Sequence, residues 1–507
     1  MTDTSSNNKR IAFNTILLYA RMIVVLLINL YTVRVVLRAL GAEDYGIYNV
    51  VAGVITMLAS FSSVLSSATQ RFFSYSLGNG NQEQLRKIFS ASMNIFLAIS
   101  AITVLLGETI GLWFVNTQLV IPADRMVVSN WIYQFSMISF MASILSTPYS
   151  AASIAREDMG LFAIVTTIDA VLKLGFAFAI PYIPMDKLVF YGLSMLFVQL
   201  FTFSYYFVSC RKRYDECHYM ATRDWGMHRE MLSFSGWTLF SSFAVVGINQ
   251  VITILINIFF GPIANAARAI AIQVNSAIST FCNSFIMAVR PPMIKAYAEG
   301  KHDYLNRVFS ISNKFTYYCM LMIAIPLILE MGYVLHIWLG DVSEQTVLFC
   351  QLIVVYSVIL SLCNPISIIV QATGKMKQFT VPVEMVTLMT PLVVYGLFKI
   401  GLAAESSFYA MIIMVLIAHI VRLIYLKKVY VQFNLSSYIK DFVLPAFGVS
   451  LISIPIVVVS HASINQPLVR FILVLFVSIV SVGITSFVLG INSTEKQIVK
   501  SLIKKWK

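Results

Sequence analysis

Inside its apolar stretches this chain carries few charges, and those few are the residues with chemistry to offer. Arg21 stands about ten residues into a long apolar run, about 15 Å along a helix, too deep for its side chain to reach an interface easily. Further on, Arg268, Asn275, Ser279, Asn283 and Arg290 fall within an arc of about 80° at 100° per residue. Arg268 and Arg290 are then about 33 Å apart along the axis. That helix face sets a guanidinium near each end of a bilayer-deep run, with amides between. A charge at a span centre costs roughly 2.5 to 3.5 kcal/mol, so it needs a partner, water or a function. Guanidinium presents paired donors that match phosphate oxygens, so a positively biased wet cavity suits an anionic passenger.

Other polar residues have rival readings. Arg34 and Arg38 lie one turn apart toward the far end of the first run, where they line a cavity or snorkel to the surface. Asp169 and Lys173 are four apart on one helix face; they neutralise each other as a structural pair, or they gate. Asn14 and Thr32 share the face of Arg21, while Thr56, Ser63, Ser67, Gln70 and Ser74 occupy an arc of about 60° in the second run. Small-residue packing explains that serine face as well as cavity lining does. Glu108, Glu384, Lys314, His419 and Arg422 lie in or near apolar runs, but nothing in the sequence assigns their partners.

The elements that position these residues follow from composition. With 507 residues, 58% hydrophobic and only 12% charged, the chain is excluded from soluble globular, disordered and disulfide-framework classes. Runs of about 20 apolar residues occur at about 11–38, 46–74, 88–114, 126–153, 160–182, 187–209, 233–260, 263–290, 309–335, 345–371, 379–399, 404–426, 440–460 and 468–490. No window alternates as a strand does, so the expected fold is all-α and polytopic, with about fourteen transmembrane helices. The first run is too long, and too interrupted by Arg21, for a cleaved signal peptide. No P-loop, HExxH, CxxC pair or GxSxG is present, so neither an enzyme, a metal site nor a cofactor is expected.

Of the 36 Lys and Arg, 26 fall on the side of the termini, five opposite, and five inside spans. The positive-inside rule therefore places both termini in the cytoplasm, and the net charge of +13 needs no nucleic-acid partner. The basic tail from Glu495 to Lys507 reads as a surface helix on anionic membrane lipid.

A gapless self-alignment at an offset of 220 matches Ile28, Asn29, Gly41, Val54, Phe61, Ala68, Gly80 and Leu85 with Ile248, Asn249, Gly261, Val274, Phe281, Ala288, Gly300 and Leu305. At an offset of 217, Pro148, Ser150, Ala155 and Met159 meet Pro365, Ser367, Ala372 and Met376. An even displacement of six spans gives two lobes of like orientation. The expected organisation is an N-terminal lobe at 1–222, a C-terminal lobe at 223–430, and two further helices with the basic tail at 431–507.

The stretch Gly261 to Asn275, followed by Phe281, Asn283, Ala288, Pro291, Pro292, Lys295 and Tyr297 to Gly300, resembles the polysaccharide transporter branch of the multidrug/oligosaccharidyl-lipid/polysaccharide exporter superfamily. Leu40 to Tyr48, Gln70 to Phe72 and the turn Asn364-Pro365 are similar to that branch too. The resemblance implies a Wzx-type flippase that moves undecaprenyl-diphosphate-linked oligosaccharide across a bacterial inner membrane, working with glycan polymerase and ligase machinery. It also implies arginines in helices one, two and eight of a central cavity. Arg21 and Arg268 match by helix, whereas the second helix has only Arg71 at its end. A cation-coupled multidrug exporter and a membrane-embedded glycan polymerase or glycosyltransferase are the alternatives.

Overall fold

The computed structural model describes residues 2–117, 121–221, 224–340, 342–492 and 495–496. Among these residues the fold is all-helical. Thirteen helices are long and apolar enough to cross a bilayer: α1 (Phe13–Leu40), α3 (Gln82–Thr117), α4 (Ala123–Ala155), α5 (Met159–Tyr182), α6 (Lys187–Arg213), α7 (Trp225–Gly261), α8 (Ile263–Ala298), α9 (His302–Leu329), α10 (Glu344–Thr373), α11 (Met376–Lys399), α12 (Ser406–Val429), α13 (Leu435–Ala462) and α14 (Pro467–Gly490). The second place in the order belongs to α2, a helix of 37 residues at Ala42–Gly78. The side chains of Thr56 and Ser63, Arg223, and the tail beyond residue 496 lie outside the described residues.

The ninth span stops at Leu329, short of the expected 335, and a short helix Met331–Leu339 follows. At the break, the fully buried Glu330 carboxylate takes Arg470 Nε at 2.7 Å and His461 Nε2 at 3.4 Å. Helix α10 breaks at Leu362, two residues before Asn364-Pro365, and α11 breaks at Met389 before Pro391, as proline's missing donor demands.

The repeat-matched glycines do the same conformational work. Gly41 separates α1 from α2 with φ 84° and ψ 168°, and Gly261 separates α7 from α8 with φ 80° and ψ −173°. Gly80 and Gly300 turn the next junctions at φ 69° and 70°. Such angles crowd any Cβ, so the residue type follows from the turn. At the 217 offset, Gly374 has φ 73° and its counterpart Glu157 has φ 63°, the one non-glycine residue with positive φ among those described.

Two compact units divide the chain, one at 13–239 and the other at 240–507 together with 1–12. In the first, α4 packs against α2, α3, α5 and α6, with Tyr149 edge-on to Phe89 at 5.1 Å. The linker after α6 is fastened down: Arg156 grips Glu216 with two nitrogens, and Asp158 accepts from Arg213 Nη1 at 2.8 Å and from the Tyr214 hydroxyl at 2.7 Å. Burial alone would raise the Asp158 carboxyl, but Tyr214, the Leu161 amide and Arg213 outweigh it and hold the group below its ordinary range. In the second unit, α9 packs against α10, α13 and α14, and α12 against α10 and α11. Helices α13 and α14 pair through the Ser453 and Thr485 hydroxyls, 2.7 Å apart, and Ser478 Oγ donates to the Met322 carbonyl of α9 at 3.0 Å.

Candidate functional site

In the first unit Arg21 is half-buried on α1. Its Nη1 donates to Thr166 Oγ1 at 3.4 Å, its guanidinium lies 5.1 Å from the Phe162 ring centre, and its Nε is buried without a hydrogen bond. Its neighbours on the helix face serve other ends: Asn14 Nδ2 donates to the Glu157 carbonyl at 3.3 Å, and Thr32 Oγ1 donates to Ile28 O at 2.8 Å. Arg34 is exposed. Lys173 Nζ meets Asp169 Oδ2 at 2.8 Å, a local i,i+4 pair. Arg71 is buried, 4.6, 5.2 and 5.1 Å from the ring centres of Phe72, Tyr75 and Phe234, and 3.9 Å from Glu230.

In the second unit Arg268 is 0% exposed. Its Nε donates to Thr253 Oγ1 at 3.1 Å, its Nη2 to Asn249 Oδ1 at 3.4 Å, its Nη1 points at Met411 Sδ at 3.8 Å, and the Phe408 ring lies 5.5 Å away. Every one of these partners is neutral. Asn275 is half-buried and accepts from Ser357 Oγ at 2.7 Å; Asn283 is exposed and Arg290 half-buried. The face on α8 therefore passes from a sealed guanidinium at Arg268, through the half-buried amide of Asn275, to an exposed amide at Asn283.

Against Arg268 lies a constellation that spacing alone does not reveal. A small cavity of about 50 Å³ is lined by Asn249, Tyr356, Glu384, Thr387, Met411 and Arg422, with further residues from the same helices. Glu384 is 6% and Arg422 9% exposed. Thr387 Oγ1 donates to Glu384 Oε2 at 2.7 Å, and Arg422 Nη1 donates to Cys363 Sγ at 3.1 Å. His419 stands behind, its Nδ1 3.8 Å from the same sulfur. From the sequence Arg422 lies in or near an apolar run with no partner assigned; in the structure it is buried. The available signal was an acid and a cation in neighbouring spans, 38 residues apart, but only packing brings them to one cavity. No His, Cys, Asp and Glu group with metal-holding geometry occurs among the described residues.

No protein-family model and no curated protein matches the sequence. Solved structures do match. The Vibrio cholerae MATE transporter VcmN in its bent form is 15% identical, with a TM-score of 0.66 over 86% of this chain and 100% of that one. A further MATE protein, also in a bent conformation, reaches a TM-score of 0.71 at 14% identity, over 83% and 95%. A transporter of the MOP superfamily from Pyrococcus furiosus gives 0.64 at 15% identity, over the same shares, 83% and 95%. At such identities the likeness speaks for the fold, which is that of the MATE transporters.

Proposed function

We propose that this chain is a flippase for an oligosaccharide linked to undecaprenyl diphosphate, a repeat unit of O-antigen, capsule or a similar surface glycan, in the inner membrane of a bacterium. The observation that carries this reading is the pair of guanidinium groups, one within a span of each unit, whose contacts are neutral: Arg21 on Thr166, and Arg268 on Thr253 and Asn249. Cations kept in an apolar interior without a carboxylate need an anion from elsewhere. A diphosphate supplies it and accepts paired donors. In this mechanism Arg21 and Arg34 of the first unit, and Arg268, Asn275, Asn283 and Arg290 of the second, are the groups offered to the headgroup and sugars. The polyprenyl tail stays in lipid while alternating access carries the polar part across. The Pyrococcus furiosus relative is described as having a binding pocket of reverse polarity that suggests a different function, which supports reading polarity, rather than fold, for the passenger's charge. Depletion of the protein should leave lipid-linked glycan on the inner leaflet, and the purified chain in liposomes should expose it outside; unchanged leaflet distribution in both assays refutes the proposal.

One observation favours a second reading, a cation-coupled drug exporter: the buried Glu384 carboxylate facing a cavity beside Tyr356. Drug susceptibility of a deletion strain separates the two, since a glycan flippase leaves it unchanged.

A further inference from the structure

A second cavity, about 310 Å³, opens where α9 and α13 begin and α14 ends. Its counterpart in the first unit is filled. There, Ser90 Oγ accepts from the Met220 amide at 2.9 Å, and Asn94 Oδ1 accepts from the Tyr219 hydroxyl at 2.9 Å, so the linker after α6 lies on α3. The repeat partners of Ser90 and Asn94 are Ser310 and Lys314. Ser310 lines the open cavity, and Lys314 is taken by Glu495, with Nζ to Oε2 at 2.9 Å.

Once Glu495 is spent on Lys314, the cavity walls keep one cation, Arg307, and one carboxylate, Asp441. Both are exposed, and among the described residues neither makes an ion pair. The floor is aromatic: Phe433 and Tyr438 have ring centres 5.9 Å apart, and Tyr438 and Phe442 5.3 Å. One guanidinium for a phosphate, one carboxylate and aromatic side chains for an ammonium, and a position at the ends of three spans describe the headgroup of a lipid. We infer that this cavity is a binding site for an aminophospholipid, its phosphate on Arg307 and its primary amine on Asp441. A primary ammonium donates hydrogen bonds to the carboxylate, whereas a trimethylated one cannot, so the site should prefer phosphatidylethanolamine to phosphatidylcholine.

The test uses the full chain in nanodiscs of equal phosphatidylethanolamine, phosphatidylglycerol and phosphatidylcholine, with retained lipid counted by native mass spectrometry. Phosphatidylethanolamine should be retained about tenfold over the other two, the worth of one charge-assisted hydrogen bond. Asp441→Asn should erase that preference, and Arg307→Gln should weaken all three lipids alike; both positions are on the surface, so folding is not at stake. A chain ending after Lys496 should behave as the full chain. Equal retention of the three lipids overturns the assignment. So does a preference seen only in the shortened chain, which would give the cavity to the tail's own lysines. Competition by free phosphoethanolamine as strong as by the lipid would assign a soluble ligand and likewise overturn it.

Discussion

Two cations are sealed inside the second unit, and they are treated differently. Lys314 is 2% exposed and Arg268 0%, yet Lys314 has both oxygens of Glu495 within 3.1 Å, while Arg268 has a threonine hydroxyl, an asparagine oxygen and a thioether. A neutralised buried ion is sufficient in itself and holds the end of α14 to α9. An ion solvated only by dipoles keeps most of its attraction for an anion that arrives later. Burial therefore does not distinguish structure from function here; the chemistry of the partner does.

If that contrast is right, the largest effect should come from Arg268→Met. Loss of paired charge-assisted bonds to a diphosphate is worth about 3 kcal/mol, so flipping in liposomes should fall about a hundredfold. The protein should still fold, because an apolar side chain of similar length suits the site. Wild-type flipping by Arg268→Met would make this arginine scaffolding. The same substitution logic inverts at the ion pair: Glu495→Gln strands a buried ammonium and should cost about 3 kcal/mol of stability, measured as resistance to denaturant in detergent, and pairing it with Lys314→Met should recover most of that loss. Flipping per folded molecule should hardly change in either variant.

Arg21 sits between these extremes, half-buried with one weak hydrogen bond, so Arg21→Ala should reduce flipping about tenfold, the share of a single charged contact, with normal protein levels. Arg21→Lys, which keeps the charge and loses the fork, should restore part of it. The smallest effect concerns Asp158. A carboxyl depressed in the folded state stabilises above its ordinary range, and that contribution disappears as pH falls through the depressed value. Asp158→Asn should thus loosen the linker after α6 by no more than about 1 kcal/mol near pH 7, after solvent screening. Proteolysis rates of variant and parent should converge as pH falls through that depressed value.

What was legible in the sequence was whatever repeats or lies close along the chain. The offset of 220 pairs Gly41 with Gly261 and Gly80 with Gly300, and the members of each pair share a positive φ within 4° of one another. Asp169 and Lys173 meet as their spacing requires. Helical periodicity put Arg268, Asn275 and Asn283 on one arc, but it could not say that the arc is covered at Arg268 and open at Asn283. Nor does any spacing join Arg422 to Cys363 across 59 positions, or Lys314 to Glu495 across 181.

Local sequence was enough to show that this chain crosses a membrane many times as helices, that glycine turns the junctions at Gly41, Gly80, Gly261 and Gly300, and that uncommon cations lie inside. Those outcomes follow from local rules: apolar length against bilayer thickness, backbone groups satisfied within each helix, and glycine where a Cβ would clash. Packing between helices settles which cations are neutralised, that Glu384, Arg422 and Asn249 share one cavity, and that the ground on α9 stays open where that on α3 is covered. Those choices depend on which helix faces meet sideways, and side-chain contact between helices is set by packing across the whole unit rather than by distance along the chain.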